Sequence, residues 1–318
     1  MFKIYKIPFG EYLLVKIVNE LTGEYFSFLP DHGASMNQLA LRSSDGKVNS
    51  LLYENVDYEN LITEGHTTFK GSKLFPFPNR VNNGHYFYQN KNYKLTINDQ
   101  QGGHAIHGLI FDSKFRIISE FVDTEKGVVI VEYNFNKECE GYPFQFTVKI
   151  IFELSKKGFT CSTSIRNEDS CKIPVGDGWH PYFKTSGDIN DLYLSIPSCQ
   201  EIETDTFKIP TGRIINTNEF IESTIIGEKN FDTCFKFFED ADRSVIKIVD
   251  IHDSLNINIW MDSGHQQYKY VQVYTPYSRD CIAIEPMTCM PDAFNNKKDL
   301  IILKPEEEFK LSWGIYLK

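Results

Sequence analysis

The sequence lacks several features that would place it in a familiar class. It has no cysteine pair at CxxC spacing, no apolar run long enough to cross a bilayer, and no sustained 3.6-residue apolar period. A membrane-spanning helix needs about twenty apolar residues in a row, so no span is expected. The charged N-terminus, Met1-Phe2-Lys3-Ile4-Tyr5-Lys6, is not followed by the apolar core of a secretory leader. The seven cysteines are odd in number and scattered, which suits buried, reduced thiols and a cytoplasmic setting. A basic face is also missing. Net charge is -10, and the densest basic stretches, Lys91–Lys94 and Lys156-Lys157, are short and hairpin-like. Nucleic-acid binders need a positive surface for phosphates, so neither nucleic acid nor membrane is an expected partner. No low-complexity linker, composition break or long-period repeat divides the chain. Residues 1–318 are therefore expected to form one domain.

What the chain does have is aromatic and β-branched residues, including 25 Phe and 17 Tyr. Both types favour pleated, half-buried surfaces. Residues 146–154 and 158–166 flank Ser155-Lys156-Lys157 as a hairpin. Within the second arm, Phe159, Cys161, Thr163 and Ile165 alternate with Thr160, Ser162 and Ser164, the two-residue period of a sheet. Segments 115–122 and 128–135 form a second such pair, and 86–88 with 93–97 a third around residues 89–92. Further strands are expected at 192–196, 245–249, 255–261, 270–274, 282–285 and 309–316. A helical turn or two fits only at 51–61. The pattern is all-β: many antiparallel strands in packed sheets.

Chemistry concentrates in a few short segments. In Trp179-His180-Pro181-Tyr182-Phe183 and Ile284-Glu285-Pro286-Met287 an ionisable residue precedes a proline, which holds it in an extended conformation. An imidazole and a carboxylate presented in this way suit general acid–base catalysis. Taken alone, His180 reads more readily as a member of an aromatic cluster, and Glu285 reads equally as a strand-end carboxylate turned to water. Burial at the end of its apolar run would raise the Glu285 pKa and make it a better base. His107 lies in His104-Ala105-Ile106-His107-Gly108. The two imidazoles have no cysteine or carboxylate at ligand spacing beside them, so no metal is expected. Gly108 permits close approach of backbone or ligand. Arg80, after Phe75-Pro76-Phe77-Pro78-Asn79, offers a planar donor fork for paired oxygens or an ordinary salt bridge. Asp232, in Asn230-Phe231-Asp232-Thr233, is a weaker candidate that also suits a turn.

Taken in order, these segments resemble the aldose 1-epimerase (galactose mutarotase) family. The series runs Asn79-Arg80-Val81 with Asn83-Gly84, His107-Gly108 with Phe111-Asp112, Trp179-His180-Pro181-Tyr182-Phe183, Phe231-Asp232 with Phe235, and Glu285-Pro286 with Asp292-Ala293-Phe294-Asn295. It extends from about residue 20 to Trp313-Gly314-Ile315. The resemblance implies a large antiparallel β-sandwich of the galactose mutarotase type, a supersandwich, with an open sugar cleft. It implies further that Glu285 takes the proton of the C1 hydroxyl of an aldose and His180 protonates the ring oxygen. His107 would assist at the ring oxygen, while Arg80 and Asp232 would hold hydroxyls, with no cofactor and no metal. The expected partner is a small sugar; nothing in the chain sets an oligomeric state.

The chain departs from the family pattern at Leu109, where many members carry a second glycine, and the family's C-terminal glutamine has three candidates, Gln266, Gln267 and Gln272. Two alternatives stay open beside a free aldose. A hexose 6-phosphate would need cations such as Lys73, Arg116 or Lys184 joining Arg80. A non-catalytic sugar-binding module would need neither His180 nor Glu285.

Overall fold

The computed structural model describes residues 1–184, 187–238, 242–264 and 266–318. The fold is all-β, and every strand ladder among the described residues is antiparallel. Nine strands form the largest sheet, with Lys126–Asn136, Gln145–Ser155, Gly158–Asn167 and Glu308–Leu317 adjacent at one side. A second sheet of eight strands runs in the order Pro210–Thr217, Cys199–Thr204, Asp232–Phe237, Tyr270–Tyr274, Ile282–Met287, Gly178–Trp179 and Lys73–Leu74, with Tyr182–Phe183 also paired to Ile282–Met287. A third, N-terminal sheet joins Phe2–Phe9, Tyr12–Asn19, Tyr25–Leu29, Ser35–Arg42 and Val48–Ser50.

The core lies between the nine-stranded sheet and the other two. Phe26 of the N-terminal sheet packs on Phe152 and Phe159 of the nine-stranded sheet, with ring centroids 5.0 and 4.2 Å away. Trp179 of the eight-stranded sheet meets Phe152 at 5.9 Å and Trp313 at 6.3 Å. One continuous cluster of buried apolar residues reaches from Phe2 to Ile315. No described helix is long and apolar enough to cross a membrane.

The predicted hairpin is present: Gln145–Ser155 pairs with Gly158–Asn167, and Ser155 lies opposite Gly158, leaving Lys156-Lys157 as the turn. Phe159, Cys161, Thr163 and Ile165 are buried, while the residues between them are partly exposed. Two local expectations need correction. The third hairpin turns at Gln89-Asn90, since both residues adopt positive φ and Lys91–Lys94 is already strand. The helix occupies Tyr58–Thr68 rather than 51–61, because Asp57 caps it by accepting the Asn60 N–H at 2.8 Å and Phe69 ends it at φ 52. All seven cysteines are free, five of them buried.

Candidate active site

Glu285 sits in the middle of Ile282–Met287, a strand whose six residues are all buried. Such a strand has neighbours on both sides and both faces covered, so its apolar run is continuous rather than alternating. Tyr270–Tyr274 pairs along one edge and places Gln272 directly opposite Glu285. Residues directly opposite in an antiparallel pair project to the same face. Along the other edge, the chain through Gly178–Trp179 and Tyr182–Phe183 breaks its pairing at His180-Pro181. Proline has no N–H for the ladder. The His180 N–H instead donates to the Ser72 carbonyl at 3.1 Å, and its carbonyl accepts from Gly71 N–H at 2.9 Å. His180 is thus anchored by its backbone at the edge of the Glu285 strand.

His180 Nε2 lies 3.4 Å from Glu285 Oε1, with the two side chains 6% and 2% exposed. His107 comes from a different part of the fold. Its ring meets that of His180 edge-on, with centroids 5.0 Å apart, and its other side packs on Phe69 at 4.7 Å. Its backbone takes the left-handed conformation, φ 64, stabilised by the His107 N–H donating to Asn79 O at 3.0 Å. Gly108 is required by close approach of backbone: a Cβ there would lie 2.2 Å from the Phe75 carbonyl oxygen. Tyr182 stacks on His180 at 4.8 Å with an interplanar angle of 20°.

The electrostatics follow from burial. Desolvation pushes the Glu285 pKa well above the ordinary carboxylate range; nearby Asp232 adds to the rise, while Arg80 opposes it. Desolvation lowers His180 to about 3. His107 is pushed well down, first by burial and then by the charges of His180 and Arg80. Both imidazoles are therefore neutral near pH 7. Four buried polar atoms at this place have no hydrogen-bond partner: His107 Nδ1, His180 Nδ1, Gln272 Oε1 and Glu285 Oε2.

Arg80 and Asp232 border the cluster. Arg80 donates from Nε to Asp99 Oδ2 at 3.0 Å. Its turn is clipped by Asp292, whose backbone N–H donates to Arg80 O at 2.7 Å and whose carboxylate accepts from Asn82 N–H at 2.9 Å. That gives the Asp292-to-Asn295 motif a supporting role. Asp232 accepts from Gln272 Nε2 at 2.7 Å and pairs with Lys208 Nζ at 3.3 Å. Gln272 is thus the glutamine that meets the cluster; Gln267 bonds to Gly264 N–H, and Gln266 is exposed. Lys208 was not singled out from sequence, and Tyr182 entered only as a neighbour within the His180 segment. The register of Gln272 against Glu285 is visible only once the strands are paired.

The cations considered for a phosphate are each engaged in an ion pair. Lys73 is buried in an ion pair with Asp177, Arg116 pairs with Glu132 at 2.8 Å on the surface, and Lys184 pairs with Glu54 at 3.5 Å. The metal expectation also needs restating. His104 does not partner His107, since its Nδ1 accepts from Asn83 N–H at 3.0 Å. Distant residues do: His107, His180 and Glu285 offer ligand atoms within 4.8 Å of one another. That donor set has the ligand types of a divalent-cation site, and neither Nδ1 holds a protein acceptor of the kind that orients a metal-binding imidazole.

The family model described as aldose 1-epimerase matches residues 23–316. The uncharacterized protein YihR of Escherichia coli K12 is 30% identical over 254 residues, covering 77% of this chain and 78% of its own. Among solved structures, a galactose mutarotase-like protein from Clostridium acetobutylicum aligns with a TM-score of 0.87 at 24% identity, over 100% of this chain and 98% of that one. The galactose 1-epimerase of Lactobacillus acidophilus NCFM aligns with a TM-score of 0.81 at 15% identity, over 100% and 98%. At these identities the two structures speak for the fold.

Proposed function

The chain belongs to the aldose 1-epimerase family, and on that premise we propose that it interconverts the α and β anomers of a free aldose by acid–base ring opening and reclosure. The observation that carries this reading is the buried meeting of His180 Nε2 with Glu285 Oε1 at 3.4 Å, beside unpartnered polar atoms. Glu285 is the base at the C1 hydroxyl, and His180 is the acid at the ring oxygen. His107 assists at the ring oxygen, and Arg80 and Asp232 hold hydroxyls.

The proton count supports these roles. An imidazolium beside a carboxylate holds the same single exchangeable proton as a neutral imidazole beside a carboxylic acid. In ring opening, the carboxylate takes the C1 hydroxyl proton while the imidazolium gives one to O5. The C1–O5 bond breaks and the uncharged pair remains. Rotation about C1–C2 exposes the other carbonyl face; the acid then returns its proton to O1 and the imidazole removes one from O5. Burial favours the uncharged arrangement, and the Arg80 charge draws Glu285 back toward carboxylate. The two arrangements are thereby brought closer in energy, as reversible turnover needs.

Lys73, Arg116 and Lys184 are each already paired with a carboxylate, which gives no support to a phosphate subsite, so a free aldose ranks ahead of a hexose 6-phosphate. The continuous core supports treating residues 1–318 as one domain. Polarimetry and proton NMR of freshly dissolved α-anomers test the activity across a panel of aldoses and their 6-phosphates. We expect faster anomerisation of at least one free aldose; a chain that accelerates none would sink the assignment.

A further inference from the structure

Near the proposed catalytic cluster, the eight-stranded sheet buries a second charged group that proton transfer does not use. Lys73 and Asp177 form an ion pair with no exposed side-chain surface on either partner. Lys73 Nζ also approaches Thr163 Oγ1 at 3.4 Å, Gly178 O at 3.5 Å and the Trp179 ring at 4.8 Å. The Tyr268 hydroxyl donates to the second Asp177 oxygen at 3.0 Å. Burial pushes the lysine down and the aspartate up, each toward its uncharged form, while their mutual attraction opposes both shifts. Desolvating two ions offsets most of their attraction, and well-packed apolar side chains hold such a place as stably or more so. Stability alone does not account for the pair.

Its connections do. Asp177 lies three residues before His180, and Ser72, adjacent to Lys73, accepts the His180 N–H. The Asp177 N–H donates to Thr288 Oγ1 at 2.9 Å and its carbonyl accepts from Thr288 N–H at 2.9 Å, three residues beyond Glu285. The strands involved, Lys73–Leu74 and Gly178–Trp179, have two residues each. Ladders this short carry few hydrogen bonds, and a slip of one residue would turn every side chain to the opposite face.

We propose that the Lys73–Asp177 pair, steadied by Tyr268, is the positioning device for His180: it pins the register that sets the imidazole against Glu285. The inference rests on the proton-transfer reading of the site. The test is the full chain carrying Lys73→Met with Asp177→Leu, which removes both charges and leaves apolar side chains in their place. The variant is expected to fold, with kcat lowered tenfold to a hundredfold, KM within twofold of the parent, and the imidazole 15N resonances of His180 shifted. Those resonances are assigned by their disappearance in His180→Asn. A folded double variant with parental kcat and unshifted resonances overturns the proposal, as does a loss confined to KM. Should the double variant fail to fold, Tyr268→Phe decides: kcat reduced threefold to tenfold with shifted His180 resonances supports the proposal, and parental values overturn it. Should the parent turn over no aldose, the mutarotase reading fails separately, and the His180 resonances of the same variants still decide the positioning role.

Discussion

Lys73 with Asp177 and His180 with Glu285 are sealed from solvent to nearly the same degree, and they differ in how well their polar atoms are paired. Lys73 Nζ meets Asp177, Thr163 and the Gly178 carbonyl, and the second Asp177 oxygen accepts from Tyr268. At the other cluster, Glu285 Oε2 and an Nδ1 on each of His107 and His180 have no partner. A buried polar atom without a hydrogen bond costs about 1–3 kcal/mol. A fold tolerates several together where an incoming molecule completes them. The first cluster is finished by the chain itself, while the second leaves capacity that, on the proposed function, sugar hydroxyls would fill.

Substitutions should therefore separate the clusters by what they damage. In Glu285→Gln, turnover should fall by about a hundredfold to ten-thousandfold, the usual contribution of a proton-transfer group, while the melting temperature holds or rises. Polarimetry beside thermal unfolding checks this; a collapse of the fold would erase the distinction. Asp177→Ala should do the reverse in order of severity. It strands a buried lysine charge and should cost about 3–5 kcal/mol of stability, measured by urea unfolding. A loss under about 1 kcal/mol would place both clusters in one class.

Acidity sharpens the contrast. Activity should follow a bell-shaped pH profile in which the competent pair holds one proton. Its acid limb should lie below the ordinary imidazole range because His180 is lowered to about 3; its alkaline limb should lie above the ordinary carboxylate range because Glu285 is raised. Stability should respond as well. Below the unfolded imidazole value of about 6.5 the unfolded chain binds a proton that folded His180 refuses, so stability falls as pH drops toward about 3, by up to about 1.4 kcal/mol per pH unit. His180→Asn should remove that slope in urea titrations across the range. Glu285 has the opposite sign: its contribution is full below the unfolded carboxylate value and is lost as pH rises through the raised folded one. The smallest effect is expected at the edge of the cluster, where Gln272→Ala releases Asp232 from its 2.7 Å bond. KM should rise by about tenfold, the equivalent of one hydrogen bond to a charged group, with kcat changed less; initial-rate measurements decide.

Legibility in the sequence followed local rules. The alternation in Gly158–Asn167 and the turn beside it are two-residue signals, and they match the observed strands. His180 and Glu285 stood out because each precedes a proline, and the fold brings them together with His107. Strands Tyr25–Leu29 and Ser35–Arg42 gave no alternation because nearly all their residues are buried, and they were not picked out. Lys73 could not be placed from sequence because its partner lies 104 positions away. Gln272 could not be chosen over Gln266 and Gln267 until strand pairing set it opposite Glu285. What sequence hid in each case was a contact across strands.

The tight turn after His107 also divides tolerance to mutation between two adjacent positions. Gly108 is pressed against the Phe75 carbonyl, whereas Leu109 is half-buried, donates its N–H to the same oxygen at 2.8 Å and rests its side chain against the core. The first position is closed to change, because any side chain there would push the imidazole loop outward. The second holds the Phe75 oxygen through its backbone, so exchange of one apolar side chain for another at Leu109 leaves the turn that sets His107 in place.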